Sequence, residues 1–353
     1  MDSSGNLSTA AELASEQFDN NSDAASSCGS DSSQITVTPA DSVSSMASSP
    51  EALALPGPAV PHSSAPGPVA DSANISVREY IYFLPYPLPA GTPVPYSLDL
   101  ANNNPLNLPP HQFEPTSTLV LTSPNRTFVD IRFFKPFAPA HSTPLPNQGG
   151  ERERLEWAFA GTSASHAITL PETDNEEEES WEGVTHSTWT HWLDSRHAVG
   201  SSNIPVDEGD MYPIASDLTL EHGHAFQPMV NAYKTHEEMW RDVAARSTNS
   251  SGSKICVVMR LQADAAGVRG LIVRVGQYCQ GIVMQGGYCT VERWEFDEGK
   301  GDGEEAAKWV RTARVGDQHL PCGTTFRPEV LAVGTVLKYH DYEWTVEEMW
   351  EWV

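Results

Sequence analysis

Residues 254–296 read KICVVMRLQADAAGVRGLIVRVGQYCQGIVMQGGYCTVERWEF, and this stretch decides the fold class. Apolar and polar residues alternate through KICVVMRLQ, so Ile255, Val257, Met259 and Leu261 fall on one face. RGLIVRVGQ and QGIVMQ follow as short β-branched runs. Gly286-Gly287 then supplies a two-residue turn into YCTVERWEF. A period of two broken by tight turns predicts an antiparallel meander. The same pattern continues on both sides. Toward the C-terminus come Lys308–Arg314, TVLKY, a His340-Asp341 turn, and YEWTVEEMW with Tyr342, Trp344 and Val346 inward. Toward the N-terminus, Leu218–Phe226 alternates. Earlier still, ISVREYIYFL begins at Ile75, and TLVLTS and TFVDIRFF are divided by Ser123-Pro124-Asn125-Arg126. LEWAFAG places Leu155, Trp157 and Phe159 on one strand face, and THSTWTHWLD carries Trp189 and Trp192. Pro-rich text at 85–115 and 136–150 reads as surface insertions.

One helix is expected, Thr235–Arg246, because Thr235 and Glu238 form a T-x-x-E capping box that satisfies first-turn amides. Otherwise the chain is all-β. Open sheet edges invite aggregation, so each half is expected to close into an antiparallel β-barrel. The expected layout is a tail over 1–73, a first barrel over 74–205 and a second over 206–353.

The tail differs in composition. It holds nine acidic residues, no Lys or Arg, 21 Ser or Thr and one aromatic, Phe18. Such a segment buries too little apolar area to offset its ordering entropy, and is expected to be disordered. The whole chain of 353 residues carries a formal charge of −26. Duplex binding depends on neutralising phosphates with basic residues, so nucleic acid is not an expected partner. No apolar run reaches the roughly 20 residues of a spanning helix, and the first residues lack a signal-peptide pattern. Five cysteines (Cys28, Cys256, Cys279, Cys289, Cys322) are scattered without a CxxC, which suits reduced thiols inside a cell.

Several blocks are similar to a known family. LEWAFAGTS at 155–163, STWTHWLDS at 187–195, VDEGDMYP at 206–213 and GLIVRVGQYCQGIV at 270–283 resemble, in this order, the fungal HRI proteins. So does the closing hairpin from Gly334-Thr335-Val336 to Glu343-Trp344-Thr345-Val346. The resemblance runs from about Ile75 onward, outside the tail and the insertions. It implies two tandem calycin-like barrels, related in shape to lipocalins. It also implies residence in cytoplasm and nucleus, a casein-kinase-I-type protein kinase as partner, and no catalytic set to carry over.

Candidate functional residues are few. His222 and His224 share a strand face with Leu218, Leu220 and Phe226. Pointing inward, they would grip an acidic ligand, a metal or a haem; pointing elsewhere, they are hydrogen-bonded surface histidines. Two histidines lacking a third ligand make a thin metal site, so no metal or cofactor is assigned. Trp157, Trp294 and Trp344 are either pocket walls or core filler. In the tail, Asp23 lies three residues before Ser26, and Asp41 three before Ser44, with Ser45 and Ser48 continuing the spacing. An acidic group upstream is what a casein-kinase-I-type enzyme reads, so these serines are candidate phosphorylation sites. The acidic run 172–182 suits docking onto a basic surface, or is simply a solvated loop. No GxSxG or HExxH occurs. The expectation is a non-enzymatic interaction protein that engages a kinase. The alternative is a lipocalin-like carrier or sensor of a small apolar or haem-like ligand.

Overall fold

The computed structural model describes residues 36–38, 73–99, 114–136, 145–169, 181–299 and 307–353. Among the described residues, sixteen strands carry the fold. They are β1 (Thr36–Thr38), β2 (Asn74–Leu84), β3 (Thr116–Thr122), β4 (Thr127–Phe134), β5 (Leu155–Ala167), β6 (Thr185–Asp194), β7 (Asp207–Ala215) and β8 (Leu218–Gln227). The chain continues with β9 (Ala232–Asp242), β10 (Lys254–Ala263), β11 (Val268–Val275), β12 (Tyr278–Gln285), β13 (Tyr288–Asp297), β14 (Lys308–Val315), β15 (Val336–Tyr339) and β16 (Tyr342–Trp352). Strands β2 to β9 pair in sequence order, and β9 returns to β2, closing an eight-stranded antiparallel barrel. The other eight form an antiparallel sheet ordered β1-β15-β16-β10-β11-β12-β13-β14.

Three expectations need correction. The segment read as a helix from Thr235 is strand β9, bonded to β2 on one side and β8 on the other. A capping box contributes about 1 kcal/mol; that is small beside two full ladders and the closure they complete. Residues 235–240 are buried on both faces, which a surface helix cannot satisfy.

The boundary expected at 205/206 falls inside the barrel. Residues 74–205 contribute only β2–β6, and β7–β9 are needed to close the ring. The second unit, among the described residues, is a sheet with β1 and β14 at its edges rather than a closed barrel. Its inner face is filled by Ile255, Val257, Met259, Leu261 and Trp344 together with Leu320, Cys322 and Leu331 from the 316–335 connection. A connecting segment therefore occupies the space that a lumen would need. Within the stretch read as a tail, Thr36–Thr38 pair with β15. The rest of residues 1–72, including Ser26, Ser44, Ser45 and Ser48, lies outside the described residues, as does most of the acidic run 172–182.

Barrel and sheet share one core. Leu119, Leu121, Val129, Ile131 and Phe133 from the barrel's outer face pack on Cys256, Val258, Leu271, Val273 and Ile282 of the sheet. Each such side chain, fully buried, stabilises the fold by about 1.5–3 kcal/mol. Two polar side chains cross this layer. Gln280 donates to the carbonyls of Leu119 and Val129 at 2.8 and 3.1 Å. Arg293 donates to the carbonyls of Ser117 and Ile131 at 3.1 and 2.7 Å.

Candidate functional site

Alternation sends one set of barrel side chains out to that shared core and the other set into the lumen. The inward set is charged and aromatic. On β4, Asp130 and Arg132 lie two residues apart and pair directly, with Arg132 Nε and Nη2 donating to Asp130 Oδ2 at 3.0 and 2.9 Å. Arg132 Nη1 also lies 3.7 Å from Glu238 of β9. Arg78 of β2 donates to Glu238 at 2.8 Å and to Glu114 at 2.6 Å. Glu221 of β8 accepts the indole N–H of Trp240 at 2.8 Å, and its other oxygen is 3.9 Å from His236 Nε2. Asp207 opens β7 beside these groups.

Electrostatics follow from this crowding. Burial pushes the Asp130 carboxyl above its ordinary value, and the Arg132 guanidinium offsets only part of that. Burial and the neighbouring Glu221 raise Asp207 likewise. Glu238 goes the other way: burial opposes its charge, but Arg78, Arg132 and His236 outweigh it and hold the carboxyl low. Burial likewise opposes a charged His236, and Glu221, Glu238 and Asp207 together hold it above the usual histidine range. Six carboxylates (Glu114, Asp130, Glu156, Asp207, Glu221, Glu238) face three guanidiniums (Arg78, Arg132, Arg196) and one histidine, so the lumen carries an excess of negative charge. Asp130 Oδ1 is buried and accepts no hydrogen bond among the described residues.

A cavity of about 140 Å³ lies at the end of the barrel that holds Ser76, Thr122 and Asp242. Its inner walls are Phe128, Phe159 and Trp240 with Asp130, Arg132 and Glu221; Trp189, Met211, Thr219 and Asp242 form the more exposed rim. A smaller cavity of about 50 Å³ lies toward the opposite end, and Arg132, Asp207 and Glu221 border both. A wider groove of about 380 Å³ lies elsewhere, by Arg246 and Glu295–Glu298. It is shallower than the lumen and is lined by exposed or half-buried side chains.

His191 of β6 stands in the lumen wall, its Nδ1 3.0 Å from Asp194 Oδ2. Its ring stacks on Phe159 at 4.3 Å and meets Trp157 edge-on at 5.6 Å. Nε2 has no partner among the described residues. Asp194 also accepts from Trp157 Nε1 and the Arg196 amide. Burial opposes its charge, yet these donors and His191 hold its carboxyl below the usual range.

The residues expected at a site scatter. His222 and His224 do share a face with Leu220, but it is the outer one, because Thr219, Glu221 and Gly223 occupy the lumen positions. His222 meets Glu237 at 3.1 Å, and Glu237 also accepts the Tyr96 amide at 2.6 Å, anchoring the 85–99 segment. His224 is exposed and stacks on Tyr86 at 4.9 Å. Trp157 does line the lumen, at its smaller cavity, with the guanidiniums of Arg132 and Arg196 at 5.1 and 3.9 Å from its ring. Trp294 and Trp344 belong to the filled interior of the second sheet. The four described cysteines are free. Among the described residues, no three His, Cys, Asp or Glu side chains are placed to hold a metal ion.

Sequence reading missed the lumen set because charges alternating with apolar residues look like a solvated strand face. One signal was available. VDIRFF, DLTLEHGH and THEEMW each carry ionisable groups on the face opposite strong apolar residues, and adjacent strands repeat the pattern.

No curated protein matches the chain. Among solved structures it is similar to the uncharacterized protein YLR301w from Saccharomyces cerevisiae, at 17% identity and a TM-score of 0.49, covering 78% of this chain and 98% of that one. The family model described as Protein HRI1 matches residues 100–348, well over half of the sequence and most of both the barrel and the second sheet. On that match the chain belongs to the HRI1 family.

Proposed function

We propose that this protein is a non-enzymatic binding protein whose barrel holds a small ligand in its lumen. The observation that carries this reading is the cavity of about 140 Å³ inside the closed barrel, with aromatic walls and an unpaired carboxylate oxygen on Asp130. Ligand sites combine apolar walls with a few aimed polar groups in this way. The volume matches the roughly 150 Å³ that accepts benzene in an engineered apolar cavity, and falls below the ~300–1,000 Å³ of drug-sized sites. A haem-like ligand is therefore set aside in favour of one about the size of a single ring.

Native mass spectrometry of full-length protein, taken gently from its own cells, tests the reading. The expected result is a discrete added mass that is lost on denaturation and absent from Thr219→Trp, which fills the rim. If each protein appears only at its own bare chain mass, the reading is overturned.

A second reading, engagement of a casein-kinase-I-type partner in cytoplasm and nucleus, draws support from one surface feature. Tyr86, Phe226 and Tyr233 form an exposed aromatic set around His224, with ring centroids 5.5 Å apart for Phe226 and Tyr233 and 6.4 Å apart for Tyr86 and Tyr233. Aromatic residues are enriched at protein interfaces. Co-purification of such a kinase that is lost on Phe226→Ser with Tyr233→Ser would support this role, and retention would remove the patch from it.

A further inference from the structure

We infer that the ligand of the barrel is a small organic cation, an amine or ammonium group on a body no larger than one ring. This rests on the lumen-binding reading above and adds the chemical class. Three observations point the same way. The first is charge. Arg132, the cation bordering the larger cavity, is already committed to Asp130 Oδ2 and Glu238, whereas Asp207 and Glu221 reach that cavity without an arginine partner of their own among the described residues. An anion there would meet uncompensated carboxylates in a low-dielectric site.

The second is the orphan acceptor. Asp130 is 2% exposed and Oδ1 accepts nothing among the described residues, although Asp130 lines the cavity. A neutral hydrocarbon would leave that oxygen unsatisfied. Oδ1 is itself closed off, so a donor in the cavity satisfies it once the carboxyl turns toward that space, and a charged donor gains more from the turn than a neutral one. The third is the wall. Phe128, Phe159, Trp189 and Trp240 surround the same space, and aromatic faces attract a cation through their quadrupole. At the rim, Asp242 is exposed and fixed by Ser76 and Asn74 at 2.9 and 3.0 Å. That placement raises the local concentration of cations at the mouth. Hard metal cations need a shell of converging oxygen ligands, and among the described residues no three carboxylate, histidine or thiol side chains converge in that way.

Isothermal titration of the full-length protein with three probes of one shape separates the possibilities: phenethylamine, 2-phenylethanol and 3-phenylpropanoate. Phenethylamine is expected to bind at least about tenfold tighter than the alcohol, and the carboxylate not at all. Asp130→Asn, nearly isosteric, is expected to weaken the amine by about tenfold or more. Trp189→Ala, on the half-exposed rim, serves as a second variant if Asp130→Asn does not fold, and is expected to weaken the amine severalfold. If the alcohol binds as well as the amine, or the carboxylate binds best, the cation assignment falls while the lumen reading stands. If none of the three binds, both fall.

Discussion

Arg293 donates its Nε hydrogen to Gln280 Oε1 at 2.8 Å, and both side chains then reach across to backbone carbonyls of the barrel. Four carbonyls on β3 and β4 receive these donors, from side chains that are themselves almost fully buried. The pair registers the second sheet on the barrel, where apolar contact alone would tolerate sliding.

Removing Arg293 breaks several of these bonds and leaves Gln280 Oε1 buried without its donor. Arg293→Ala is expected to cost about 3 kcal/mol or more, since each lost bond contributes ~1 and the orphaned acceptor adds ~1–3. Urea denaturation followed by tryptophan fluorescence measures it. A loss below about 1 kcal/mol would show that apolar packing holds the layers unaided.

A second close fit lies inside the sheet. Gly270 of β11 sits under the indole of Trp344 on β16, and a Cβ there would overlap ring atom Cη2 and stand 3.1 Å from Cζ2 and Cζ3. Trp344 is 1% exposed and has no room to retreat. Gly270→Ala is expected to destabilise by about 1–3 kcal/mol, as overpacking does. Trp344→Phe in the same chain should recover part of that loss. A double-mutant cycle without coupling would contradict the fit.

These two contacts mark how far the sequence could be read. The alternation that put Ile255, Val257, Met259 and Leu261 on one face is present in the structure, as is the inward Trp344. Period-two patterning reports a local property, and it survives folding. Closure is not local. Whether β14 meets a partner depends on what the 316–335 segment does, and that segment has no period to read. The lumen was hidden for a related reason. Asp130, Arg132, Glu221, His236 and Glu238 are stable inside only because strands distant in sequence bring them together, so each one alone reads as a solvent-facing charge.

Glu238 is the hinge of that set. It sits between Arg78 at 2.8 Å and Arg132 at 3.7 Å, all three nearly fully buried. Glu238→Ala leaves two guanidiniums facing each other with less compensation, and is expected to cost about 3–5 kcal/mol. Glu238→Gln keeps the shape and should cost less. Thermal unfolding of both variants decides the matter, and equal, small losses would mean that Glu114 and Asp130 suffice for the arginines.

The thiols offer a chemical check on burial. Burial pushes Cys289 up to about 12 and raises Cys256 and Cys322 well above the ordinary thiol value. The thiolate is the reacting form, so these groups should be inert near pH 8. With Cys28 replaced by serine, the native protein is expected to react with an aromatic disulfide reagent only very slowly, and to release four equivalents after guanidinium is added. Rapid reaction of the folded protein would contradict the packing around these strands.

The last prediction uses the histidine of the lumen. His236 is faced by Glu221 and Gln227 from β8, by Asp207 from β7 and by Glu238 on its own strand. Burial opposes its charge, but the carboxylates win and its folded value lies above the ordinary 6.5. A base held above its unfolded value contributes stability that is complete below the unfolded value and disappears as pH rises through the folded one. The wild-type unfolding temperature should therefore fall as pH rises above about 6.5. Asp130 and Asp207, whose carboxyls are raised, also favour the more acidic side, so the difference between proteins is the useful quantity. His236→Gln preserves a partner for Gln227 and removes the titration. Its curve should be flatter than the wild type's above pH 6.5, and Glu221→Gln should flatten it in part. Parallel curves for wild type and His236→Gln would mean that the lumen carboxylates do not hold a proton on this imidazole.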